Sequence, residues 1–232
     1  MKLELTKRLE RIASYVPQGD IVADVGTDHG YIPIYLVKKD ISVKVYAMDI
    51  AKGPLEKAEK NIEESGVQEA VETILSDGLK QLGDREVDTL IIAGMGGMLI
   101  KKILSEGKHY LENIPRLILS PHLDIEVVRK EVHKLGYKIT LEDFIREGQK
   151  FYPILVCDHG KEKYKKEVEY KYGKSLIESS HMEYREYLQV LIMKNMELKR
   201  QLLLKNTLAS RIRIMQLDKE SETICEVGKW LK

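Results

Sequence analysis

From Asp20 to Gly136, short apolar runs alternate with helix-patterned segments, and no other feature of the chain limits its fold as strongly. "DIVADV", "SVKVYAMD", "VETILS", "VDTLIIAG" and "PRLILSP" read as buried strands. "YIPIYLVKK", "GPLEKAEKNIEESG", "GGMLIKKIL" and "DIEVVRKEVHKLG" read as the helices between and after them. Such alternation requires a parallel, doubly wound α/β sheet. Two further apolar stretches, "YKITLEDFI" and "FYPILVCDH", follow with only a turn between them, so they pair antiparallel. An opening helix precedes all of this, with Leu5, Leu9, Ile12, Ala13 and Val16 on one face and "PQG" ending it.

The character of the chain changes near Gly160. Residues 1–159 hold 22 Lys+Arg against 26 Asp+Glu, a net −4, whereas residues 160–232 hold 16 against 11, a net +5. Two parts with opposite charge are expected to meet different partners. Beyond a lysine-rich linker, Tyr184, Leu188, Leu191, Asn195, Leu198 and Leu202 follow alternating spacings of four and three. Ile214, Leu217, Ser221, Ile224 and Leu231 form a second, looser helical series, with a break at Lys205–Thr207. The expectation is a domain over 1–159 and a coiled-coil-like antiparallel helical hairpin over 160–232. No apolar run reaches the ~18 residues of a membrane span, and the N-terminus is amphipathic rather than signal-like. Cys157 and Cys225 form no CxxC pair, and the six histidines show no metal-ligand spacing. A cytoplasmic monomer without metal is expected.

The chemistry concentrates in "VADVGTDHG", at the end of the first strand. Ligands of open α/β sheets bind where such turns leave the carboxyl ends of strands. Gly26 and Gly30 allow close backbone approach, and the following helix offers unpaired N–H groups. The six residues from Gly26 are not a GxGxxG loop, and the acids beside them would repel a pyrophosphate. They favour a ligand with positive charge. S-adenosylmethionine, a sulfonium carrying an ammonium group, fits: Asp24 or a nearby water can meet the ammonium, and the backbone of the turn, with Thr27, can bracket the carboxylate. Asp49, followed by Ile50, ends the second strand 23 residues after Gly26, where a carboxylate accepts both ribose hydroxyls. Asp77, followed by Gly78, is placed to cap the adenine amino group. The fourth strand ends in "AGMGGML", from Ala93 to Leu99, a nearly side-chain-free platform at Gly94, Gly96 and Gly97. Amino-methylating enzymes carry an Asn/Asp-Pro-Pro-aromatic motif there, and this chain has none. Glycines so clustered also serve tight turns or close packing.

The combination "TKRLERIASYVPQG", "ADVGTDHGYIPIYL", "DGL", "IAGMGG" and "RLILSPH" resembles the bacterial tRNA (adenine-22, ring nitrogen 1)-methyltransferase family, over essentially the whole chain. Members often read "SDHAYLP" and "QPN" where this chain has "TDHGYIP" and "SPH", so His122 stands in place of an asparagine. The resemblance implies a Rossmann-like class I methyltransferase sheet, mostly parallel with an antiparallel last strand, and a C-terminal helical hairpin. It implies S-adenosylmethionine as cofactor, tRNA as partner and adenine ring nitrogen 1 as acceptor.

That nitrogen has a lone pair and loses no proton, so positioning suffices and no general base is obligatory. The atom lies on the Watson–Crick edge, so the base must be unpaired and gripped. Asp28, His29 and Tyr31 on the glycine turn are the candidates. Asp28 faces developing positive charge, His29 or Tyr31 stacks, and the backbone at Gly94 and Met95 accepts the amino group. Each also has a plain structural reading, as helix cap, turn residue and core residue respectively. Arg8 and Arg11 on the first helix are candidate phosphate contacts. Lys194, Lys199, Arg200, Lys205, Arg211 and Arg213 gather around the second half of one hairpin helix and the turn, and are expected to hold RNA. Open alternatives are a methyltransferase for another RNA, a protein or a small molecule, a nicotinamide or nucleotide-sugar binder, and a non-catalytic RNA-binding protein.

Overall fold

The computed structural model describes residues 5–179, 181–205 and 207–230. In chain order the elements are α1 (Lys7–Ala13), β1 (Ile21–Val25), α2 (Tyr31–Lys38), β2 (Lys44–Asp49), α3 (Lys52–Ser65), β3 (Val71–Leu75) and β4 (Thr89–Met95). Then come α4 (Gly97–Glu106), α5 (Lys108–Leu111), β5 (Arg116–Pro121), α6 (Ile125–Lys134), β6 (Tyr137–Glu147) and β7 (Lys150–His159). The remainder is helical: α7 (Glu167–Tyr172), α8 (Lys174–Glu178), α9 (Met182–Lys205) and α10 (Leu208–Trp230). The chain divides into two compact units, residues 1–165 and 166–232.

The first unit is a seven-stranded sheet in the order β3-β2-β1-β4-β5-β7-β6. β1 to β5 run parallel, while β7 lies antiparallel to both β5 and β6. The strand order reverses at β1 and β4, and their carboxyl ends therefore border the crevice where doubly wound sheets bind ligands. Strand runs such as "VADV" are buried throughout because helices cover both faces of a parallel sheet. Ile12 and Ala13 of α1, Ile34 and Leu36 of α2 and Ala58 and Ile62 of α3 join Val22, Val45, Ala47, Ile91 and Ile118 in one core. α4 and α6 pack on one another and on β4, β5 and β6. Arg129 of α6 donates to Glu142 of β6 at 2.6 Å, with both side chains almost wholly buried. Losing either partner would strand a buried charge, so the pair fastens α6 to the outer strand.

One expectation about the closing pair sharpens here. The last strand in sequence is not the edge of the sheet: β7 inserts beside β5 and pushes β6 outward. The hairpin reaches past the carboxyl end of β5, so its tip, around Glu147 and Lys150, stands beside the crevice. The Arg8 backbone N–H donates to Glu147 Oε1 at 3.2 Å, and Arg11 and Tyr15 both donate to Asp143 Oδ2, at 2.9 and 2.6 Å. These bonds fix α1 against the hairpin.

In the second unit, α9 and α10 pair antiparallel. Asn195 Nδ2 donates to Ser221 Oγ at 3.3 Å, and Lys199 bonds Asp218 across the same seam. The two polar residues that interrupt the apolar series thus meet each other. Tyr184, Leu188, Leu217 and Ile224 are buried along the seam. Leu231, the last residue of the second series, lies outside the described residues, as does position 206 in the break.

Candidate active site

β1 ends at Val25, and the chain leaves the sheet through Gly26 and Thr27, whose N–H groups both donate to the Met48 carbonyl of β2, at 2.8 and 3.0 Å. Gly26 has φ +80, and Asp28 is held at φ +50, a left-handed conformation that a non-glycine residue enters only under constraint. The constraint is visible: the Asp28 N–H donates to Asp49 Oδ2 at 3.3 Å, and Gly30 N–H to the Thr27 carbonyl at 3.0 Å. Gly30 then opens α2 at φ +71, and a Cβ there would press on Ala58 of α3 at 3.2 Å. Asp28 makes no capping bond to α2, so its plain reading as a helix cap does not hold. Its side chain is 65% exposed and faces the cleft. His29 and Tyr31 stack on each other at 5.2 Å and 17°, and Tyr31 remains 38% exposed rather than core.

The cleft beside this turn is lined by Arg8 and Leu9 of α1, Asp24, Gly26, Thr27, Asp28, His29, Tyr31 and Ile32, by Ala93 and Gly94 of β4, and by His122 after β5. Asp24 is 4% exposed, and burial, assisted by the charge of Asp49 and opposed by the Thr27 hydroxyl, pushes its carboxyl up to about 7. A buried acid poised near neutrality gains by meeting a cation. Asp49 also orders the second turn, accepting from the Ala51 N–H at 2.9 Å.

The glycines after β4 divide their labour. β4 bulges between Ala93 and Met95, which leaves Gly94, at φ +80, outside the ladder with β5. A Cβ on Gly97 would stand 2.5 Å from the Asp124 carbonyl and 2.7 Å from that of Leu123, so Gly97 is there for packing. Gly96 borders open space. The Met95 carbonyl already accepts the His122 N–H at 2.8 Å, and its side chain lies on Gly26. Gly94 lines the cleft, and its backbone hydrogen-bonds the His122 side chain.

The family model for a methyltransferase domain matches residues 5–155. The chain is 37% identical over 159 residues to the tRNA (adenine(22)-N(1))-methyltransferase of Bacillus subtilis, covering 68% of this chain and 67% of that one. It belongs to this methyltransferase family. The B. subtilis m1A22 tRNA methyltransferase TrmK has a similar structure, with TM-score 0.86 and 28% identity over 98% of this chain and 100% of that one. A putative tRNA (m1A22) methyltransferase of Streptococcus pneumoniae in complex with S-adenosyl-L-methionine aligns at TM-score 0.81 and 33% identity, over 97% and 100%. The M. capricolum TrmK in complex with S-adenosyl-homocysteine aligns at TM-score 0.85 and 26% identity, over 98% and 99%.

This member of the family is S-adenosylmethionine-dependent, and its cleft suits that cofactor. Asp24 lines it with a buried carboxylate, while Asp49, at the end of β2, lies outside its lining residues and reaches the turn through the Asp28 N–H. The Arg8 guanidinium has Nε and Nη1 buried without a hydrogen-bond partner, 4.9 Å above the Tyr152 ring. Buried charged donors so placed are suited to an anion. Asp77 and Gly78 line a separate small cavity with Lys80 and Glu106, and Asp77 is paired with Lys80. Ile50 is exposed at the end of β2, outside the residues lining the main cleft. Arg11 is already bound to Asp143. In the second unit Lys194, Arg200, Lys205, Arg211 and Arg213 are exposed, while Lys199 is paired with Asp218.

In the sequence His122 stands out only as a departure from the family pattern, and nothing there marks Tyr152. Tyr152 comes against Arg8 and His122 because β7 runs back beside β5, and no local pattern announces that register.

Proposed function

We infer that this chain transfers the methyl group of S-adenosylmethionine to ring nitrogen 1 of adenine 22 in tRNA. The observation that carries the reading is likeness over nearly the full length of both chains to m1A22 tRNA methyltransferases, at up to 33% identity in solved structures. When bound, S-adenosylmethionine supplies an electrophilic methyl group, and the chain supplies placement. Asp24 and Asp49 hold the cofactor, with Gly26, Thr27, Gly30 and Ala93 allowing its approach. The base, displaced from pairing, lies between the His29–Tyr31 stack and the Gly94 backbone. Asp28 faces the positive charge that develops on the ring, where it stabilises the transition state more than the bound substrate.

The division of labour follows the charge. Residues 1–159 form the cofactor domain, and residues 160–232, at +5, the tRNA-binding hairpin, whose long helices are read as coiled-coil-like. Helices of 24 and 23 residues extend about 35 Å at 1.5 Å per residue, long enough to reach RNA beyond the target base. A monomer working in the cytoplasm, where tRNA resides, completes the reading; among the described residues no helix is long and apolar enough to cross a membrane.

The test is incubation with S-adenosylmethionine and unmodified tRNA, then mass analysis of the digested nucleosides. 1-Methyladenosine should appear, and should be absent when guanine replaces adenine 22. Methylation of the guanine-22 transcript at an equal rate would overturn the assignment.

A further inference from the structure

Arg8, Gly94 and His122 line the cleft together with the glycine turn, and Tyr152 packs behind Arg8 and His122. The geometry centres on His122. The His122 backbone N–H is tied to the Met95 carbonyl at 2.8 Å, which fixes the residue over the β4 bulge. Its Nε2 lies 3.8 Å from the point where a Cβ of Gly94 would stand, and the imidazole hydrogen-bonds the Gly94 backbone, so the neutral ring keeps one nitrogen as an acceptor. Its ring meets Tyr152 edge-on at 5.4 Å and 64°, and Tyr152 in turn carries the Arg8 guanidinium on its face. The residue is exposed to the cleft on its remaining side.

We propose that the neutral imidazole of His122 accepts a hydrogen bond from the exocyclic amine of the target adenine and so takes part in both base selection and methyl transfer. The inference rests on the methyl-transfer reading of this site. Adenine presents an N–H donor beside ring nitrogen 1, and guanine presents a carbonyl oxygen at the same place. A single ring lone pair therefore distinguishes the two. As the lone pair of ring nitrogen 1 forms the bond to the methyl group, the methyl–sulfur bond breaks and its electron pair leaves with the sulfur as a neutral thioether, so the positive charge passes to the adenine and spreads to the exocyclic nitrogen. The N–H bond to His122 strengthens at that moment, which makes it a transition-state interaction.

A protonated imidazole has two donors and no acceptor, and would face both an N–H group and a growing positive charge. The surroundings hold the ring neutral. Burial, the charge of Arg8 from α1 and, less strongly, that of Lys150 from β7 lower its pKa below 6.5, opposed by the Gly94 backbone of β4. Both charged groups acting on the ring are cations, and Tyr152 of β7 meets its edge. An asparagine at this position, as the family resemblance has it, offers an amide oxygen as acceptor without titrating.

The experiment measures kcat of full-length protein from pH 5 to 8, at saturating S-adenosylmethionine and tRNA, for wild type, His122→Asn and His122→Ala. Saturation with cofactor separates the result from Asp24. Wild-type kcat should fall about tenfold per pH unit below a midpoint under 6.5. His122→Asn should retain activity within about tenfold and lose that acid limb. His122→Ala should lose about 10- to 100-fold in kcat, the size of one hydrogen bond to a charged group, with cofactor Kd unchanged by calorimetry. An acid limb persisting in His122→Asn, or wild-type kcat in His122→Ala, would overturn the proposal and leave the methyltransferase reading intact. Failure of wild type to form 1-methyladenosine at any pH would instead overturn both.

Discussion

Asp24→Asn should separate cofactor binding from stability, in opposite directions. The wild-type carboxyl titrates at about 7 in the folded chain, against 3.8 for an unperturbed group, chiefly because it is buried. A folded pKa raised above the unfolded one means that the folded state binds the extra proton between those values. Ionised Asp24 therefore opposes folding above pH 7, and the penalty fades as pH falls toward 3.8. At 1.36 kcal/mol per unit, the three-unit difference amounts to about 4 kcal/mol at pH 8 and under about 2 kcal/mol at pH 5. Asparagine is nearly isosteric and cannot ionise. In the absence of cofactor, chemical denaturation should show Asp24→Asn more stable than wild type at pH 8, by a few kcal/mol, with the advantage shrinking at pH 5. Calorimetry on the same protein should show S-adenosylmethionine binding weakened by at least about tenfold, since the ammonium loses its ion. Equal or lower stability of the variant at pH 8 would refute the argument that burial strains this acid. Undiminished affinity would refute its role toward the cofactor.

Asp49→Ala should weaken S-adenosylmethionine binding by about 1.5–3 kcal/mol in calorimetry, and unchanged affinity would mean that Asp49 does not hold the ribose. Asp28→Ala should lower kcat far more than cofactor affinity; an equal fall in both would place Asp28 in the cofactor site. Gly97→Ala should destabilise the protein by about 2 kcal/mol or more in denaturant unfolding, because its Cβ would collide with the Asp124 carbonyl, whereas Gly96→Ala should be close to neutral. Equal effects of the two would contradict the division of labour among the glycines. A chain ending at residue 165 should bind cofactor normally but methylate tRNA poorly, and full-length affinity for tRNA should fall steeply with salt. Full-rate methylation by the truncated chain would remove the hairpin from recognition.

The parallel sheet was legible because each strand run is bounded by a helix of a different period, and a crossover admits only one pairing sense. The glycine turn was legible because Asp24, Gly26 and Asp49 lie at one strand end and its neighbour. Other parts depended on contacts remote in sequence. Nothing local says that β7 enters the sheet between β5 and β6, and so nothing local places Tyr152 beside Arg8. Arg8 read as a candidate phosphate contact on an amphipathic helix, and nothing local says that the β6–β7 hairpin packs on it and leaves two of its nitrogens buried. Asp77 read as a third cofactor acid from its place after β3, and its pairing with Lys80, three residues on, follows only from the turn that β3 makes. "GMGG" looked like one platform and is two devices, because only the approach of the Leu123–Asp124 backbone distinguishes Gly97 from Gly94.

Methylation at ring nitrogen 1 blocks the Watson–Crick edge, so a reverse transcriptase halts one nucleotide short of the modified base. Primer extension on unmodified tRNA treated with this protein and S-adenosylmethionine therefore reads both the atom and the position. A single new stop beside adenine 22, absent without cofactor, is the predicted result; no stop, or a stop at a different nucleotide, would contradict the assignment.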